Sequence, residues 1–263
     1  MSENKSTKKF LKNPIKGTKY TIMVSSAKGG VGKSTFAVNL AFALKNLGKK
    51  IGILDADIYG PSLSKLIGKN EKPKSKDGKF LSPIICEDIQ CMSMGFLIDE
   101  TNAMIWRGPM VISAIKMLVE KVLWEDLDFL IIDMPPGTGD TQLTISQDFK
   151  IDGAIIISTP QDIALLDVVK GITMMEKTNI NIIGLVENMS YFVAENKIYK
   201  IFGDSKVKET AKKFQKNFLG SIPFHIDLRV SADNGKPLTY FNRDHEISRI
   251  FNSFANNVVK KFQ

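Results

Sequence analysis

The sequence predicts an α/β fold, a three-layer sandwich with a mostly parallel central sheet, and three observations carry that expectation. Short, continuous apolar runs alternate with helical patterns along the chain, as in repeated βα units whose strands are covered on both faces. Two of these runs, 51–54 and 129–132, end in Asp55 and Asp133, at the carboxyl ends where open parallel sheets bind ligands. A glycine-rich stretch, Ser25-Ser26-Ala27-Lys28-Gly29-Gly30-Val31-Gly32-Lys33-Ser34-Thr35, joins the first run to the first helix.

Taken in order, residues 1–18 are polar and lysine-rich and read as a mobile tail ahead of a single domain, 19–263. The first strand is expected at 20–26. A helix over 33–47 follows, with Phe36, Leu40, Ala43, Leu44 and Leu47 on one face and Gly48 ending it. After the strand at 51–54, residues 68–80 are dense in Lys, Asn, Pro, Ser and Gly and predict a flexible surface loop. Short strands are expected at 84–86 and 89–94. Arg107-Gly108-Pro109 opens a helix to about 123, because proline suits a first helical turn. Strands at 129–132, 154–158, 180–186 and 218–222 alternate with helices at 163–177 and 205–213, and a helix over 245–262 closes the chain.

The glycine-rich stretch reads as a phosphate-binding loop. Glycine permits close backbone approach and unrestricted φ, so successive N–H groups converge on phosphate oxygens at a helix N-terminus. Lys33 is expected to reach the β- and γ-phosphates, and the Ser34 hydroxyl to complete the shell of Mg²⁺. The first motif position is Ala27 rather than glycine and a second lysine, Lys28, follows it, which is the deviant form of the motif. Lys28 lies too early to be the ordinary phosphate lysine; the expected role is to reach the nucleotide of a facing subunit, which implies an ATP-bridged homodimer. Asp133, ahead of Met134-Pro135-Pro136-Gly137-Thr138-Gly139-Asp140, has the form of a Mg²⁺-supporting acid followed by a mobile loop. Asp57 is the better placed of the pair Asp55 and Asp57 to position the attacking water; Asp55 reads equally as metal support or as a helix cap.

Composition narrows the partners. The 263 residues carry 43% hydrophobic and 24% charged content and a formal charge of +8. The lysines are scattered rather than blocked, so neither nucleic acid nor stable membrane association is expected. No apolar run reaches transmembrane length and no secretory signal is visible, and a cytoplasmic location follows as the expectation. Cys86 and Cys91 are the only cysteines, too few to organise the fold by disulfides. His225 and His245, the only histidines, have no motif context and read as surface or packing residues; the apolar side of the last helix reads as docked on the core rather than lying on a membrane.

The phosphate loop, Asp55-Ala56-Asp57-Ile58-Tyr59-Gly60-Pro61-Ser62, Met92-Ser93-Met94-Gly95-Phe96, Trp106-Arg107-Gly108-Pro109-Met110, the Asp133 block and Val186-Glu187-Asn188-Met189-Ser190 together resemble the signature set of the Mrp-type iron–sulfur cluster carrier ATPases. The resemblance implies a homodimeric P-loop ATPase using ATP and Mg²⁺. It also implies a [4Fe–4S] cluster as cargo for apo client proteins, with assembly factors as partners. Nucleotide contacts would come from Ala27, Lys28, Gly29, Gly30, Val31, Gly32, Lys33, Ser34 and Thr35, with Asn188 on the adenine base and Ser221-Ile222-Pro223 alongside it. The sequence departs from that family where a C-x-x-C pair is usual: residues 191–203 contain no cysteine, and Ala194 and Lys197 stand about where the thiolates would be. Neither can replace a thiolate, so the cluster ligands are left unassigned, with Cys86 and Cys91 the remaining thiols. Two other readings stay open: a positioning switch of the septum or partition type, and an ATP-binding assembly scaffold without its own cluster.

Overall fold

The computed structural model describes residues 12–98 and 108–263. Its centre is an eight-stranded sheet built from β1 (Thr18–Ser25), β2 (Ile51–Asp55), β5 (Ile84–Cys86), β6 (Ile89–Ser93), β7 (Leu127–Asp133), β8 (Gly153–Ser158), β9 (Ile182–Asn188) and β12 (Phe218–Ile222). The order across the sheet is β12-β9-β8-β1-β7-β2-β6-β5, and every pairing is parallel except β5 with β6. All residues of β2, β8 and β9 are buried, which requires cover on both faces of the sheet and explains the continuous apolar runs.

The helices are α1 (Lys33–Asn46), α2 (Leu63–Ile67), α3 (Gly108–Glu120), α4 (Asp140–Asp148), α5 (Asp162–Lys177), α6 (Lys206–Lys213), α7 (Ile226–Asp233), α8 (Leu238–Phe241) and α9 (Glu246–Phe262). α9 docks on α1, as its apolar stripe predicts: Phe251, Phe254 and Val258 are buried. The Phe36 ring lies 5.5 Å from Phe251 and 5.6 Å from Phe254, contacts worth about 0.5–1.5 kcal/mol each beyond area burial. The face a membrane-surface helix would present is thus taken by the core.

Three local expectations change. The tail assigned to 1–18 lies outside the described residues as far as 11, but from Lys12 the chain is attached. The Asn13 N–H donates to the Asp148 carbonyl at 2.9 Å, Ile15 is buried, and Thr18 already begins β1. Within the surface loop assigned to 68–80, β3 (Ser75–Lys76) pairs with β4 (Phe80–Leu81) across Asp77 and Gly78, both at positive φ. Residues 192–199, read only as a loop, form a hairpin of β10 (Phe192–Ala194) and β11 (Lys197–Tyr199), turning at Glu195 and Asn196 with φ of 50° and 60°. Trp106 and Arg107, which open the expected helix at 107, are outside the described residues, and the helix is seen from Gly108.

Candidate nucleotide site

β1 delivers the phosphate loop at the centre of the sheet. Gly30 and Gly32 adopt φ of 77° and 82°, the left-handed region that side chains rarely occupy, and a Cβ on Gly32 would lie 2.3 Å from Asn188 Nδ2. Gly32 leads directly into α1, whose N-terminus has no side-chain cap and no acid in its first turn. Its first N–H groups and dipole therefore face the loop, an arrangement suited to phosphate. Lys33 is 6% exposed, forms an ion pair with Asp133, and approaches Ser34 Oγ to 3.3 Å. Lys28 is exposed, and its carbonyl accepts a 2.9 Å hydrogen bond from Ser26 Oγ that fixes the backbone of the loop.

Sheet register gathers the acids. Asp55 of β2 is directly opposite Asp133 of β7, and Asp133 is level with Val24 of β1. Asp55 is buried and accepts from the Asp57 N–H (3.0 Å), Ser62 N–H (2.9 Å), Leu63 N–H (3.1 Å) and Ser93 Oγ (3.1 Å). Asp55 thus acts as a cap, securing residues 57–63 and the start of α2. Burial, reinforced by the charge of Asp133, pushes Asp55 up to about 7 against the pull of these N–H groups and Lys33. Burial also raises Asp133, opposed by Lys33 and Ser34. A divalent cation fits this donor set, because crowded buried carboxylates beside the Ser34 hydroxyl favour added positive charge; Ser34 and Asp133 are the residues that would hold Mg²⁺, which when bound offsets phosphate charge.

Asp57 is half-buried and accepts from Gly60 N–H at 3.2 Å. It lines a cleft of about 270 Å³ with Gly29, Gly30, Lys33, Ser34 and Pro136. The loop after β7 closes the other side. Gly137 N–H donates to Ser26 O at 2.9 Å, while Gln142 of α4 accepts from Ser25 Oγ at 3.1 Å and donates to the Pro135 carbonyl. Gln142 and Ser93 were not singled out by the sequence, although Ser93 lies in one of the quoted blocks; each acts across more than thirty positions of chain, a link no local pattern carries.

A second cleft, of about 780 Å³, adjoins the first through Gly32, Thr35 and Ser62 and is walled by Asn188, Met189, Pro223, Phe224, Leu228 and Arg229. Asn188 ends β9 and is 7% exposed; its Nδ2 donates to Val31 O at 2.8 Å, leaving its oxygen to accept from a base. The Asn188–Val31 bond thus ties the phosphate loop to the wall of the second cleft.

The thiols stand apart from this site. Cys86 and Cys91 are 3% and 0% exposed within the β5–β6 pair, and burial raises both thiols above their ordinary range, which disfavours the thiolate that metal binding requires. Ala194 and Lys197 face each other across the hairpin turn, the first half-buried and the second exposed.

A mostly parallel sheet with a glycine-rich loop before its first helix, a buried lysine–aspartate pair beneath that loop and an adjoining second cleft define a P-loop NTPase. The family model described as "ParA: NUBPL iron-transfer P-loop NTPase" matches residues 17–259, and the chain belongs to that family. It is 46% identical over 264 residues to the iron-sulfur cluster carrier protein of Escherichia coli K12, covering 98% of this chain and 72% of that protein. It is 43% identical to the iron-sulfur cluster transfer protein NUBPL of Mus musculus, covering 95% of this chain and 80% of that one. Among solved structures, the nucleotide-binding protein in complex with ADP from Archaeoglobus fulgidus superposes with a TM-score of 0.77 at 38% identity, covering 89% of this chain and 93% of that one. The septum site-determining protein MinD of Pyrococcus horikoshii, with Mg-ADP, superposes with a TM-score of 0.69 at 22% identity, covering 93% and 97%, and shares the fold.

Proposed function

We propose that the chain hydrolyses ATP to drive iron–sulfur cluster transfer to apo client proteins, acting as a homodimer in the cytoplasm. The observation that carries the ATPase half is the register of Lys33, Ser34 and Asp133 beneath the phosphate loop, with Asp57 facing the same cleft. Phosphoryl transfer depends mainly on positioning and on charge compensation, and this set supplies both. N–H groups of residues 27–35 and Lys33 bind the phosphates. Asp57 orients the attacking water, Lys28 of a facing subunit offsets charge in the transition state, and Asn188 reads the base. Among the described residues no helix is long and apolar enough to cross a membrane.

The cluster is cargo. The hairpin carries no thiol and the two cysteines are shut in the core, so this chain's own thiolates do not form the family's paired cluster site; the remaining ligands come from the client or from an assembly partner. That same observation favours, as a second reading, a scaffold that couples ATP to assembly while other proteins hold the cluster. Anaerobic reconstitution with iron and sulfide is expected to leave wild type without a stoichiometric cluster by visible absorption. A stable cluster that disappears in the Cys86→Ser, Cys91→Ser double variant would reverse this assignment.

A further inference from the structure

The chain's only two histidines, far apart in sequence, meet in the fold. His225 caps α7 and His245 caps α9, each accepting a backbone N–H at Nδ1, from Asp227 and Ile247 respectively, at 3.2 Å. Their ring centroids are 4.8 Å apart and nearly perpendicular. Asp227 places Oδ2 at 3.1 Å from His245 Nε2 and 3.9 Å from His225 Nδ1, and Glu246 Oε1 lies 3.2 Å from His225 Nε2. One donor atom from each of His225, Asp227 and His245 falls within 4.8 Å of the others.

We propose that this cluster is a binding site for a borderline divalent transition-metal ion of the Zn²⁺ class, with His225 Nδ1, His245 Nε2 and the Asp227 carboxylate as ligands. Two imidazoles and one carboxylate suit such an ion and disfavour Mg²⁺ and Ca²⁺, which take oxygen donors. With tetrahedral bonds of about 2.0–2.1 Å, donor atoms are about 3.4 Å apart; the 3.1 and 3.9 Å separations from Asp227 bracket that value, and the two histidine nitrogens, within 4.8 Å of each other, close on the ion. Asp227 is 57% exposed and has room to adjust. Glu246 accepts the Nε2–H of His225, which puts that ring's lone pair on Nδ1, where the ion would displace the Asp227 N–H, and makes Glu246 a positioning residue in a carboxylate–histidine–metal series.

Because His245 Nδ1 accepts from Ile247 N–H, the neutral ring carries its proton on Nε2, between the ring and Asp227. The metal takes that place and the proton moves to Nδ1, so the side-chain caps of both α7 and α9 are exchanged for metal bonds. The N-termini of α7 and α9 oppose a cation, and Asp227 and Glu246, both in first helical turns, offset them. Three protein ligands leave a fourth position for water. An ion here would clip α7, which walls the base cleft through Leu228 and Arg229, to α9.

Cobalt(II) titration of the full, nucleotide-free chain in excess Mg²⁺ tests the site. The expected result is one equivalent bound, with visible d–d absorption, shifts of both histidine rings by NMR, and no thiolate-to-cobalt charge transfer. Asp227→Asn and His245→Asn should each lower the affinity at least about tenfold, as should Glu246→Gln. Asparagine still caps a helix, so circular dichroism should remain that of wild type and separate ligand loss from unfolding. Wild type that takes up no cobalt in excess Mg²⁺, or folded Asp227→Asn and His245→Asn variants that bind it as wild type does, would overturn the proposal.

Discussion

Lys33→Ala is expected to abolish ATP binding, lowering affinity at least about a hundredfold by isothermal titration. Lys33 is the only lysine buried at the loop, and it sits where the β- and γ-phosphates would enter, between Asp133 and Ser34 Oγ. Losing charge-assisted bonds to two phosphates removes about 3 kcal/mol or more, which is that affinity factor. The substitution also strands Asp133 in the core, where an unpaired charge costs about 3–5 kcal/mol. Burial already raises Asp133, so it can take a proton and soften that cost. The variant should therefore remain folded by circular dichroism while failing to bind nucleotide; wild-type affinity would remove Lys33 from the site.

Lys28→Ala is expected to behave in the opposite way, keeping ATP binding within a few-fold of wild type and losing turnover by about 10²–10³. Lys28 is exposed at the outer edge of the loop, and its own backbone is held by Ser26 Oγ, so the side chain is not part of the loop's internal structure. A charge directed at a facing subunit contributes only where two nucleotide sites meet, and it acts on the transition state rather than on the ground state. Steady-state phosphate release measured across protein concentrations separates the effects. Wild type should show turnover rising with concentration as dimers form, and Lys28→Ala should stay flat. Unchanged turnover in the variant would end the cross-subunit role.

The phosphate loop, the two strand-end acids and the βα alternation were legible because each depends on residues close in sequence. Continuous apolar runs ending at Asp55 and Asp133 already placed both acids at one edge; only the sheet order could show that they are register partners. The choice of cap for Asp55 was not legible, because three of its four donors, Ser62, Leu63 and Ser93, lie seven or more residues away. The Asp77-Gly78 pair is a hairpin signal embedded in a polar stretch that otherwise has the composition of a loop, while the 192–199 hairpin turns at Glu195-Asn196, residues with weak turn preference at the first position. His225 and His245 were read as isolated, since nothing in either neighbourhood announces that α7 and α9 begin side by side.

ATP-dependent maturation of an apo [4Fe–4S] client, followed anaerobically by recovery of the client's activity, tests the central claim most directly. With iron, sulfide and a cluster-assembly protein present, wild type plus Mg·ATP should accelerate maturation, and Lys33→Ala or omission of ATP should return it to the unassisted rate. Equal maturation with and without ATP, or with Lys33→Ala in place of wild type, would contradict an ATP-driven role in iron–sulfur transfer.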